Sequence, residues 1–137
     1  MKKVRVLIVD DHEMMRQGTC EFLQENGRFE VVAGVATGSE CMSLAERLLP
    51  DIVVMDITMP VLDGIEATKR LTALGENIRV VAFSCHDDAV HGSQMLSAGA
   101  AGYVCKSEGW AGLVRAIDAA MAGEVYISTG IDFPEKS

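Results

Sequence analysis

The sequence predicts an α/β fold, a doubly wound parallel sheet of five strands with helices on both faces. Three observations carry this. Short apolar runs alternate with stretches of helical periodicity along nearly the whole chain. The runs are apolar at almost every position, Ile52-Val53-Val54-Met55 most plainly, as strands covered on both faces require. Several runs also close on a polar residue, and in a parallel sheet those residues would collect along one edge.

The elements follow in order. Val4 to Val9 is the first strand. From His12 to about Asn26, Met14/Met15, Gly18/Thr19 and Phe22/Leu23 lie one turn apart and predict a helix, closed by Asn26-Gly27. Phe29 to Val35 is the second strand. Ser39 is the expected N-cap of a helix whose apolar face is Cys41, Leu44/Ala45 and Leu48, and Pro50 stops it. Asp51 to Asp56 is the third strand, followed by a loop at Met59-Pro60. Asp63-Gly64-Ile65-Glu66 resembles a capping box and opens a helix to about Leu74. Ile78 to Phe83 is the fourth strand. Asp87 is the expected cap of a fourth helix that ends at Gly99, weakened by His91, Gly92 and Ser93. Ala101 to Cys105 is the fifth strand. Ser107 is the expected cap of the last helix, with Trp110, Leu113/Val114, Ile117 and Met121 at helical spacing and Gly123 as its stop. Beyond Gly123 no clear element is expected, and Val125-Tyr126-Ile127 would pack on the surface.

Composition narrows the function classes. A chain of 137 residues, 49% of them hydrophobic, supports one domain with a full core. A net charge of −8 argues against nucleic-acid binding by this chain alone, because such binding runs on Lys and Arg neutralising phosphates. No apolar run approaches the length of a membrane span. Met1-Lys2-Lys3-Val4 leads straight into a strand without the apolar region of a signal peptide, so the expected location is cytoplasmic. Cys20, Cys41, Cys85 and Cys105 form no C-x-x-C pair; Cys41, Cys85 and Cys105 lie in apolar surroundings and are expected to be buried free thiols.

The strand ends carry the chemistry. The first run ends at Asp10-Asp11, the third at Asp56, the fourth at Ser84 and the fifth at Lys106. Each of these alone is ordinary: strand-end aspartates cap helices, and a single lysine is usually surface. Together they place three carboxylates, a hydroxyl and an ammonium in one crevice. Like charges so close disfavour one another, and a divalent cation relieves them. Mg²⁺ suits an open crevice of oxygen donors. Zinc would want His or Cys at suitable spacing, and His12 reads instead as a solvated residue at a helix start. One carboxylate could then attack a phosphoryl group, and Asp56 on the central strand is the expected nucleophile. Lys106 would share the charge on the phosphoryl oxygens, and Ser84 would donate a hydrogen bond to them.

These residues match a known pattern. Val9-Asp10-Asp11-His12, Met55-Asp56-Ile57-Thr58-Met59-Pro60, Asp63-Gly64, Phe83-Ser84 and Ala98 to Lys106 resemble the receiver domain of two-component response regulators over nearly the whole chain. Arg16-Gln17-Gly18, Gly102-Tyr103 and the ending Ala122-Gly123-Glu124-Val125-Tyr126-Ile127-Ser128 resemble the NarL/FixJ (LuxR-type) class. The resemblance implies a flavodoxin-like (βα)5 three-layer sandwich with strand order 2-1-3-4-5. It implies a receiver at 1–123, with 124–137 as a tail or the start of a linker. It further implies that Asp56 accepts a phosphoryl group from a sensor histidine kinase. Asp11, Asp56 and the backbone carbonyl of Thr58 would bind Mg²⁺ directly, with Asp10 acting through water. Lys106 would hold a phosphoryl oxygen, Ser84 and Tyr103 would form a switch pair, and the weak fourth helix would move. A homodimer through the receiver would follow from the class, and the output would be control of transcription. Self-phosphorylation and autodephosphorylation would be the only catalysis.

The sequence also departs from the pattern. Ser84 stands where threonine is common, and Ser107 where many receivers carry a cis proline. Thr58 and His86 occupy positions that tune phosphoryl lifetime in such domains. LuxR-type regulators usually add a helix-turn-helix, so a receiver apart from its output domain and a stand-alone receiver acting through protein contacts both stay open. A haloacid-dehalogenase-type phosphohydrolase would need a second acid where Thr58 stands. A flavodoxin-like cofactor protein would need a phosphate cradle, and Asp10-Asp11-His12-Glu13 would repel one.

Overall fold

The computed structural model describes residues 2–56, 64–75, 77–85 and 89–128, with the backbone alone at 89–91. The elements are β1 (Val4–Val9), α1 (Glu13–Asn26), β2 (Phe29–Val35), α2 (Gly38–Leu48), β3 (Ile52–Met55), α3 (Gly64–Leu74), β4 (Arg79–Ser84), α4 (Ala89–Ser97), β5 (Gly102–Cys105), α5 (Gly109–Met121) and β6 (Tyr126–Ile127). All strands are parallel, in the order β2-β1-β3-β4-β5-β6. The predicted doubly wound sheet and its order 2-1-3-4-5 are present. The sixth strand is an addition: Val125-Tyr126-Ile127 does not simply lie on the surface, because Tyr126 pairs with Gly102 and Ile127 with Tyr103.

Alternation along the strands divides the core in two. Leu7, Val9, Val53, Met55, Val80, Ala82 and Tyr103 face α2, α3 and α4. Val6, Ile8, Ile52, Val54, Val81, Phe83 and Val104 face α1 and α5. On that second face Trp110 stacks on Phe22 with centroids 5.2 Å apart and donates its indole N–H to Thr19 Oγ1 at 3.1 Å. Gly18 permits the approach, since a Cβ there would lie 3.0 Å from the indole ring.

Two caps differ from the sequence expectation. Thr37, not Ser39, is the N-cap of α2: its Oγ1 accepts from Glu40 N and donates to Glu40 Oε1, both at 3.1 Å. Thr37-Gly38-Ser39-Glu40 has the capping-box spacing, with the Glu40 carboxylate accepting from the Thr37 hydroxyl in place of its backbone N–H. Arg5 Nη1 closes the other end of α2, donating to Leu48 O at 2.6 Å and Leu49 O at 3.2 Å. Ser107 does not cap α5. It sits in a 3₁₀ turn over Lys106–Glu108 and donates to Cys105 Sγ at 3.1 Å, so that α5 begins behind Glu108. The other two expected caps, Asp63 and Asp87, and the Met59-Pro60 loop lie outside the described residues. Cys85 is exposed, contrary to expectation, because β4 ends at Ser84 and the chain leaves the sheet there; Cys41 and Cys105 are buried.

Candidate functional site

One row of residues crosses the sheet near its carboxyl edge: Val9 beside Met55, Met55 beside Ala82, Ala82 beside Tyr103. Asp10 and Asp56 each follow a member of that row. The ladder continues past the strand ends, with Asp56 N donating to Val9 O at 2.9 Å and Asp10 N to Val35 O at 3.0 Å. The two carboxylates are therefore fixed by backbone that is itself hydrogen-bonded, and both residues are buried. Asp11, one residue beyond, is exposed.

Lys106 enters from the far side. It follows β5, and its side chain is only 7% exposed. Its Nζ donates to Asp10 Oδ2 at 2.8 Å and lies 3.8 Å from Asp56 Oδ2. Phe83 lies beneath the ammonium, 5.9 Å from nitrogen to ring centroid. A buried ammonium among carboxylates is stable only because they compensate it, and the same holds in reverse.

Carboxylate oxygens of Asp10, Asp11 and Asp56 and a ring nitrogen of His12 all lie within 4.8 Å of one another. Three hard oxygen donors at an open crevice fit a divalent cation. The structure thus brings Asp10, Asp11, Asp56 and Lys106 together. Ser84 stands at the end of β4, fully buried, in register with Cys105 just before Lys106. Tyr103 is fully buried on β5, among the side chains facing α3 and α4. Thr58 and His86 lie outside the described residues.

His12 is the residue that sequence reasoning set aside. It is solvated, its side chain 68% exposed, and it is the N-cap of α1, as a helix-start residue should be. Yet its ring makes no capping bond and turns to the acids, with Nδ1 3.3 Å from Asp10 Oδ1 and from Asp11 Oδ1. Adjacency to Asp10-Asp11 was the available signal, but the ring's direction depends on how the β1–α1 turn packs.

The family that matches this chain is the response regulator receiver domain, over residues 6–118. The chain belongs to the response regulator receiver family. A response regulator GacA of Pseudomonas viridiflava is 40% identical to this receiver over 93% of the chain and 60% of that protein. A transcriptional regulatory protein DegU of Brevibacillus brevis is 35% identical over 91% of the chain and 53% of that protein. A LuxR-family two-component response regulator from Aurantimonas sp. SI85-9A1 superposes with a TM-score of 0.88 at 37% identity, over 93% of this chain and 91% of that one. These relatives place the receiver in the LuxR/NarL type. The chain spans just over half to three fifths of the length of the curated relatives it matches. Receivers of this family are signalling modules rather than turnover enzymes. No helix among the described residues is long and apolar enough to cross a membrane.

Proposed function

We propose that this receiver takes a phosphoryl group on Asp56 from a sensor histidine kinase in the cytoplasm and switches conformation to control an output, namely transcription. A carboxylate oxygen of Asp56 attacks phosphorus, the phosphorus–nitrogen bond to the kinase imidazole breaks, and the imidazole leaves. The observation that carries this reading is the Lys106 ammonium 2.8 Å from Asp10 and 3.8 Å from Asp56, at the rim of a three-carboxylate crevice. An ammonium there receives charge as it develops on the phosphoryl oxygens.

Asp10, Asp11 and Asp56, with the Thr58 carbonyl, are the residues that would hold Mg²⁺. When bound, Mg²⁺ would supply charge neutralisation that lets an anionic donor approach three carboxylates. Before the donor arrives, Lys106 holds Asp10. Afterwards it is free to turn to the phosphoryl oxygens.

Ser84 and Tyr103 form the switch pair in this reading. What supports it is alternation: Ser84 shares a strand face with Ala82, which pairs with Tyr103. Shifting a population from 1:99 to 99:1 takes about 5.5 kcal/mol. One charge-assisted bond from Ser84 supplies about 1.5–3 kcal/mol. Lys106, rearrangement around α4 and a dimer or partner contact make up the difference.

The test is incubation with acetyl phosphate and Mg²⁺ followed by intact mass. Wild type gains one phosphoryl group and Asp56→Asn gains none; equal labelling of the two refutes the assignment.

A further inference from the structure

We propose that His12 is a fourth side-chain donor of the cation site and biases that site toward divalent ions that favour imidazole, such as Ni²⁺, relative to Mg²⁺. The inference rests on the reading that Asp10, Asp11 and Asp56 hold a divalent cation.

Three observations point to His12. First, its place at the N-cap of α1 gives its side chain an ordinary task that it does not perform, since the ring makes no capping bond to the helix. Second, the backbone under the ring is tied to the same acid, His12 N donating to Asp10 Oδ1 at 2.9 Å, and the ring lies beside Asp10 and Asp11. Third, the spacing to two of the three acids is that of donors sharing one ion. Two donors on one ion with bonds of about 2.0–2.1 Å lie about 2.8–3.0 Å apart at a right angle and about 3.3–3.4 Å apart at the tetrahedral angle. Nδ1 is 3.3 Å from Asp10 Oδ1 and from Asp11 Oδ1, while Asp56 Oδ2, at 3.8 Å, lies somewhat beyond that range.

Lys106 completes the arrangement from outside. It binds Asp10 Oδ2, so Oδ1 is the oxygen turned to His12. A positioned outer partner of this kind orients a ligating carboxylate. The side chains of this set supply one nitrogen and three carboxylate oxygens. Mg²⁺ takes oxygen ligands and waters and gains little from an imidazole, whereas Ni²⁺, Cu²⁺ and Zn²⁺ gain much. His12 is thus a selectivity residue, and its exposed ring allows an ion to enter past it.

The test is titration calorimetry on the full chain with Ni²⁺ and with Mg²⁺. The background carries His86→Ala, His91→Ala and Cys85→Ser, which leaves His12 the sole histidine and removes the exposed thiol. His12→Ala is expected to weaken Ni²⁺ at least about tenfold and to change Mg²⁺ by about twofold or less. His12→Asn, a good N-cap that preserves the helix start, is expected to give the same selective loss. Unchanged Ni²⁺ affinity, or equal shifts for both ions, overturns the proposal while the cation reading stands. Failure of Mg²⁺ to bind the background protein overturns both.

Discussion

Replacing Lys106 by methionine keeps the aliphatic stem and removes the ammonium. The pair it breaks is buried, with side chains 7% and 6% exposed and nitrogen 2.8 Å from Asp10 Oδ2. At an effective dielectric of about 20, a contact of that length is a gross attraction of about 6 kcal/mol. The variant no longer has to desolvate an ammonium, which offsets part of the loss. Three carboxylates then face one another without a cation, and breaking one side of a buried pair costs about 3–5 kcal/mol. For a chain of this size each kcal/mol moves the melting temperature by about 3–4 °C, so a fall of about 10 °C or more is expected in EDTA. Asp10→Asn added to Lys106→Met should recover most of it, because the orphaned charge is gone. Mg²⁺ should stabilise Lys106→Met more than wild type, because the ion no longer competes with the ammonium. At a hundredfold excess over its Kd, such binding contributes about 2.7 kcal/mol. Thermal and urea unfolding followed by circular dichroism, in EDTA and in Mg²⁺, together read all of these. A Lys106→Met variant within about 1 kcal/mol of wild type in EDTA, or with the same Mg²⁺ increment, refutes the account of a charge-compensated crevice.

Two further outcomes follow from groups outside the crevice. Ser128 is buried, and its Oγ accepts from Cys105 N at 2.6 Å and donates to Glu108 Oε1 at 3.0 Å. Ser128→Ala should cost about 1–3 kcal/mol by orphaning the Cys105 N–H, and hydrogen exchange at that amide should quicken; an unchanged amide contradicts the clamp. Burial pushes the Cys41 thiol up to about 12 from 9.0. Between these values the unfolded chain releases a proton that the folded chain keeps, so stability falls as pH rises from about 9 to 12, by about 1.4 kcal/mol per unit. Cys41→Ala should flatten that slope when urea stability is measured across the range, and an unaltered slope removes Cys41 as its cause.

The strand ends were legible because their signal is local. A run such as Ile52 to Met55, apolar on four successive positions and short, fits a strand covered on both faces, which puts the residue after it at the carboxyl edge of the sheet. That logic located Asp10, Asp56, Ser84 and Lys106 before any contact was known. The start of α2 was less legible: Ser39 is an equally good cap by residue type, and only the bond from Glu40 N to Thr37 Oγ1 decides for Thr37.

What tertiary structure alone decided is set by pairing between distant residues. Tyr126–Ile127 is too short to announce itself as a strand; it becomes one because the edge of β5 offers unpaired backbone groups and Glu108 binds both Tyr126 and Ser128. Cys85 is exposed because β4 ends one residue earlier, and that end depends on its ladder with β5. The ring of His12 lies beside Asp10 and Asp11 in a turn closed by His12 N on the Asp10 carboxylate, and Lys106 reaches Asp10 across 96 positions of sequence. Sequence determined which side chains stand at the edge of the sheet, since alternation and burial are properties of each segment. Distances and directions among those side chains belong to the packing of segments against one another, and only the folded chain fixes them.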